Sequence, residues 1–128
     1  MARALWMERG DFAGHARTVI EALPADIARC LHNVEVIVED WPTRRQLREA
    51  GLAAGETLFG LYEGLPQTER GADYGLMVPD RITLFRGPHL EPTEDVPSLV
   101  VELRRTLLHE LAHHFGIDDD RLHELGAY

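Results

Sequence analysis

A chain of 128 residues is long enough for one domain with its own hydrophobic core and too short for two of ordinary size. Its hydrophobic share of 45% and charged share of 27% suit a globular protein, while a formal charge of −9 excludes a phosphate-gathering surface and hence a nucleic-acid partner. The single cysteine, Cys30, excludes an intrachain disulfide and a cysteine zinc site, and the lack of a long apolar stretch predicts no signal peptide, no membrane partner and a cytoplasmic protein.

In chain order, Asp11 is a suitable N-cap for a helix over about 12–23, with Phe12, Ala16, Val19, Ile20 and Leu23 on one side. Pro24 fits the first turn of a second, short helix that turns Ile27 and Leu31 inward. Val34 to Asp40 reads as a strand, stopped by Trp41-Pro42. Thr43 then caps a helical turn through Arg48, which Gly51 closes. Thr57 to Glu63 is a second strand by its β-branched and aromatic content, followed by a glycine-rich polar loop over 64–75. Met77-Val78 starts a third strand that Pro79-Asp80 breaks, and Arg81–Arg86 is a clear strand ended by Gly87-Pro88. From Pro97 to Phe115 runs the longest helical pattern: Leu99, Leu103, Leu107, Leu111 and Phe115 recur every four residues. A short helix over about 118–125 ends the chain.

The chemistry gathers late in that long helix, in His109-Glu110-Leu111-Ala112-His113-His114-Phe115-Gly116-Ile117-Asp118-Asp119. His109 and His113 are four residues apart, so their imidazoles project from one helical face about one turn apart, a spacing that suits a single Zn2+ ion. Glu110 is rotated roughly 60° from His113 by the 3.6-residue period, within reach of a water on the metal without being a ligand. Gly116 ends the helix in the left-handed conformation and swings the chain back, so that Asp119 reaches the metal as third ligand. Asp118, Asp120 and His123 compete for that role, and any of the three aspartates can instead cap the last helix. Zinc with three protein ligands keeps a fourth position for water, lowers its pKa to about 7 and polarises a carbonyl, and Glu110 serves as general base and then returns the proton to the leaving nitrogen. Amide hydrolysis is the reaction this set suits best, with a peptide or protein as substrate.

The segment His109 to Asp119 resembles the zincin metallopeptidases, in the long H-E-x-x-H-x-x-G-x-x-[HD] form shared by metzincins and snapalysin-type enzymes. Its H-E-L-A-H-H-F-G-I-D wording is most similar to the small bacterial minimal zincin-like metallopeptidase family. That resemblance implies an α+β, zincin-like fold: a small mixed sheet packed against a central active-site helix with flanking helices. It also implies that an aspartate, matching Asp119, is the third zinc ligand, and that the strand Arg81–Arg86 is the sheet edge where an extended peptide adds as another strand. Metzincins carry a methionine turn after the third ligand, and no methionine follows Asp119 here. Two other functions share the motif: a zincin-like metal-binding or peptide-binding module without turnover, and an endoribonuclease with H-x-x-x-H spacing. The glutamate after the first histidine and the negative charge argue against the nuclease. Tyr74, Arg81 and Tyr128 are the candidate oxyanion donors, and spacing selects none of them.

Overall fold

The computed structural model describes residues 5–52, 55–64 and 79–127. The predicted loop 64–75 (beyond Gly64), the strand start at Met77-Val78, Tyr74 and Tyr128 lie outside them. Helix α1 is Arg9–Glu21, α2 is Ala25–Ala28 and runs into a 3₁₀ turn at Arg29–Leu31, β1 is Val34–Glu39, and α3 is Arg44–Glu49. Then come β2 (Gly60–Glu63), β3 (Asp80–Phe85), α4 (Arg86–Leu90), α5 (Val96–Phe115) and α6 (Asp119–Glu124). The result is an α+β fold with a small mixed sheet, as the resemblance implied.

The sheet order is β1-β3-β2, with β1 parallel and β2 antiparallel to β3. β3 is therefore the central strand, and the expectation that Arg81–Arg86 forms the sheet edge is wrong. The reason is legible in the burial: Ile82, Thr83, Leu84 and Phe85 are all buried, a continuous run that requires cover on both faces. β1 and β2 are the edges among the described residues, and both end in an exposed glutamate, Glu39 and Glu63.

Local chemistry accounts for the helix boundaries. Thr43 and Gln46 form a reciprocal capping box at the start of α3: the Thr43 hydroxyl accepts from Gln46 N at 3.0 Å and Thr43 N donates to Gln46 Oε1 at 2.8 Å. Gly51, at φ 75°, turns the chain after it. Asp95 caps α5 by accepting from Ser98 N at 2.8 Å, and Pro97 occupies the first turn, where its missing N–H has no helical partner to lose. Gly87-Pro88, expected to end the strand, follow its last residue Phe85 closely and lie inside the first turn of α4, again a position that tolerates proline. Glycine is required at 87 because the Trp41 ring lies directly against its Cα, and Gly87 N donates to Asp40 O at 2.8 Å.

The core forms where α1 and α5 meet the sheet. Phe12, Ala16 and Val19 of α1 pack with Ile82 and Leu84 of β3 and with Leu99, Leu103, Leu107, Leu108 and Leu111 of α5. These five leucines are fully buried, so α5 is held along its length by the fold and its polar residues are displayed at fixed positions. Phe115, the last of the predicted apolar positions, is 43% exposed and joins a ring cluster with Tyr62 and His114 instead.

Candidate functional site

Each residue of the predicted motif can be placed. His109, Glu110 and His113 stand on the last two turns of α5. Gly116 ends that helix at φ 69°, ψ 32°, with its N–H donating to Ala112 O at 3.0 Å, which is the left-handed termination that glycine makes without a Cβ penalty. Asp118 is the N-cap of α6 and accepts from Arg121 N at 2.8 Å. That assignment resolves the competition among the aspartates for capping: Asp119 is the first residue of α6 and is not needed as the cap. Asp119, Asp120 and His123 are exposed.

His109 is half-buried, and its Nε2 lies 2.7 Å from Ala127 O. A carbonyl only accepts, so Nε2 carries a proton and donates to it. Ala127 is held by its own N–H donating to Leu122 O at 3.0 Å, and Arg104 Nη1 donates to the neighbouring Leu125 carbonyl. The segment after α6 thus orients His109. Glu110 is partly buried against β2, and burial pushes its carboxyl up to about 7, opposed by its attraction to His109.

Gly60, the first residue of β2, makes this proximity possible. A Cβ there would stand 2.6 Å from Thr106 Cγ2, 3.3 Å from Thr83 O and 3.6 Å from Glu110 Cγ. Only a residue without a side chain lets β2 close on α5 beside Glu110 and one turn before it. Sequence reading missed Gly60; its signal was a glycine inside a β-rich run. Thr106 is held in turn by His89, whose Nδ1 donates to Phe85 O (2.9 Å) and whose Nε2 accepts from the Thr106 hydroxyl (2.8 Å). His89 is buried, and burial pushes its pKa below the usual histidine range.

His114 faces the sheet. Its ring stacks on Tyr62 at 3.9 Å, and Nε2 lies 3.7 Å from Asp80 Oδ2, the atom that also accepts from Tyr62 OH at 2.7 Å. Arg81 is exposed and lies 3.6 Å from Glu35 across the β1–β3 pair.

His109 and Glu110 share the wall of a cavity of about 430 Å³ between α5 and the chain entering β2. His113 and Asp119 are not in that wall. Among the described residues, no three His, Cys, Asp or Glu side chains are grouped so as to hold a metal. The donors nonetheless fit zinc in kind: two imidazoles one turn apart on a rigid helix, a carboxylate just past a left-handed glycine, and an outer carbonyl orienting one imidazole.

A family model of zincin-like metallopeptidases matches residues 31–127, from the end of the 3₁₀ turn after α2 to the segment after α6. Among solved structures the chain is similar to a conserved hypothetical protein of T. thermophilus, at 26% identity and a TM-score of 0.57, over 85% of this chain and 94% of that one. No curated protein matches. Among the described residues no helix is long and apolar enough to cross a membrane. With three quarters of its length matched by the family model, the α5 motif included, the chain belongs to the zincin-like metallopeptidases.

Proposed function

We propose that this protein is a zinc-dependent metallopeptidase that hydrolyses peptide bonds, with zinc held by His109, His113 and Asp119 and with Glu110 as general base. The observation that carries the reading is the placement of Glu110: a carboxylate on the buried helix, beside His109 in a cavity wall, where β2 closes on α5. Its carboxyl, pushed up to about 7 by that burial, adds support. A base poised near neutral pH both takes and returns a proton efficiently. When bound, zinc supplies a Lewis acid for the scissile carbonyl and a lowered pKa for water. The chain's own work is then to orient and to move a proton. Ala127 O fixes the His109 ring, and Glu110 Oε takes the proton of the attacking water and gives it to the leaving nitrogen.

Because β3 is central, an extended substrate cannot add along Arg81–Arg86. β2 is the edge beside Glu110 among the described residues, and its antiparallel pairing with β3 orients it for strand addition. The test compares wild type, His113→Ala and Glu110→Gln after zinc loading. Wild type and Glu110→Gln are expected to retain about one zinc per chain, as one three-ligand site would, and His113→Ala to lose it. An unbiased peptide library is expected to be cleaved by wild type alone. Zinc without cleavage in wild type would make the chain a binding module, and equal cleavage by Glu110→Gln would remove Glu110 from the mechanism.

A further inference from the structure

We infer that the face carrying Trp41 and Phe59 is a docking surface for a basic segment of the polypeptide substrate, whose arginine or lysine side chains lie on the two aromatic rings and pair with Glu91 and Glu94. That the occupant is substrate rests on the proposed peptidase reading; that the face binds basic peptide does not.

Both tryptophans of the chain lie outside the core: Trp6 is 70% and Trp41 55% exposed. Burial would take a large apolar area of each ring out of water, so leaving both outside calls for a reason other than folding. They stand on one face, sharing the wall of a cavity of about 340 Å³. Trp41 shares a second, of about 510 Å³, with Pro88, Pro92 and Phe59, itself 44% exposed. The Trp41 ring is seated: a Cβ at Gly87 would stand 2.3 Å from its Cε2 and Cζ2, and Gly87 N ties the two segments together by donating to Asp40 O at 2.8 Å. A glycine thus holds in place a side chain that stays more than half exposed, an arrangement that serves a partner better than the core.

The charge on this face is of one sign. The cavity shared by Trp41 and Phe59 and the adjoining one of about 490 Å³, which has Phe59 and Pro92 in common with it, are lined by Glu91, Glu94, Asp95 and Glu102 and by no arginine. Asp95 is engaged as the cap of α5, and Glu102 by Arg105 at 2.9 Å. Glu91 and Glu94 are exposed and have no side-chain partner among the described residues. Arg86, beside Trp6 and Trp41, is already paired with Asp40 at 3.0 Å. A cation arriving over Trp41 and Phe59 therefore meets aromatic faces and two open carboxylates with no resident cation to displace, while an acidic segment is repelled. Phe59 also lies in the wall of the cavity that holds Glu110, so a polypeptide docked here leads on to the bond being cleaved.

The experiment has two arms, so that failure of catalysis and failure of the surface are separable. The first reads binding alone. Zinc-loaded Glu110→Gln protein is titrated with the end-blocked peptide Ala-Arg-Ala-Arg-Ala and its glutamine and glutamate counterparts, following the Trp41 indole N–H by NMR. The arginine peptide is expected to bind about tenfold tighter than the glutamine one at low salt and to lose most of that advantage at about 0.5 M salt. Trp41→Ala is expected to weaken it about fivefold, as loss of an exposed cation–π contact would. Glu91→Gln combined with Glu94→Gln, at exposed positions that leave the core untouched, is expected to weaken it by a similar factor; each variant is checked for a wild-type-like thermal melt. In the second arm, a peptide that wild type cleaves is extended with Arg-Ala-Arg or Gln-Ala-Gln, at either end in turn. The arginine extension at one end is expected to lower KM about fivefold with kcat unchanged, and the double glutamine variant to remove the gain. Should no peptide be cleaved, the peptidase reading fails, and substrate as occupant with it, while the first arm still decides whether the face binds basic peptide. Equal affinity for the three peptides, arginine binding indifferent to both sets of variants, or extensions that leave KM unchanged would overturn the inference. So would a dimer in sedimentation that Trp41→Ala returns to monomer, which would make a second copy the occupant.

Discussion

Replacing Glu110 by glutamine is expected to stabilise the metal-free protein above neutral pH while abolishing hydrolysis by the zinc-loaded one. The carboxyl titrates at about 7 in the folded chain against 4.5 for an ordinary glutamate, because burial against β2 disfavours its ionised form. The folded state therefore binds the Glu110 proton more tightly than the unfolded chain. Stability falls as pH rises from about 4.5 to about 7, and the penalty is complete above that window. At about 1.36 kcal/mol per pH unit the full penalty would be about 3 kcal/mol. Partial solvent access screens it, which leaves about 1–2 kcal/mol. For a chain of this length that corresponds to roughly 4–7 °C in Tm. The assay is calorimetry in chelator at about pH 8 and about pH 4.5, comparing wild type with Glu110→Gln on either side of the titration window. The variant should melt higher at the alkaline value and level with wild type at the acid one. Saturating zinc should narrow the alkaline gap, because a cation beside the carboxylate favours its charged form. A gap of the same size at both pH values, or a variant that melts lower in the alkaline buffer, would refute the reasoning.

The other expectations concern the frame of the site. Gly60→Ala, with its Cβ 2.6 Å from Thr106 Cγ2, should cost about 1–3 kcal/mol by overpacking. Adding Thr106→Ser removes that methyl and keeps the hydroxyl for His89, so the double variant should melt above Gly60→Ala alone; simple additivity in the cycle would count against the contact. Gly116→Ala puts a side chain on a residue at φ 69° with no steric neighbour among the described residues, so its cost should be the backbone strain alone, about 1–2 kcal/mol by urea unfolding, and Gly116→Asn should cost less. His89 is held neutral by burial, with its folded pKa below the usual 6.5. Its contribution is intact above about pH 6.5 and is lost as pH falls from there towards the lowered value, since the unfolded chain then takes up the proton first. His89→Gln should flatten that part of the acid limb of a urea-midpoint profile; an unchanged limb would dissociate His89 from it.

Much of the local structure follows from sequence periodicity and termini alone. The four-residue recurrence of leucine from Leu99 to Leu111 fixes α5 as the buried helix, because only one face repeats at that spacing. Asp95, Thr43 and Gly116 mark helix ends because each has a local hydrogen bond or a backbone conformation that needs nothing from the rest of the chain. The pairing of His109 and His113 on one face, with Glu110 between them, is likewise a matter of helical geometry. Position in the sheet is not local. Arg81–Phe85 reads as a strand in isolation, but whether it is an edge or a centre depends on β1 and β2 arriving on either side of it, from distant parts of the sequence and with opposite polarity to each other. In the sequence this leaves no more than the run Ile82-Thr83-Leu84-Phe85, with little charge to mark a solvent face, a weaker signal than the strand pattern itself.

The same division runs through the site. Sequence spacing put His109, Glu110 and His113 on one helix and Asp119 beyond a glycine turn, and it did so without any knowledge of the fold. Tertiary structure decided what surrounds them: Ala127 O against His109, Gly60 opening the way for β2 beside Glu110, His89 and Thr106 behind them, and an apolar wall from residues 52, 58 and 59. These contacts join residues far apart in the chain, where no periodicity operates and only packing sets the partners. Helical geometry writes its ligand spacing into neighbouring residues; the burial that raises the Glu110 carboxyl, and the pocket at its side, exist only once β2 has closed on α5.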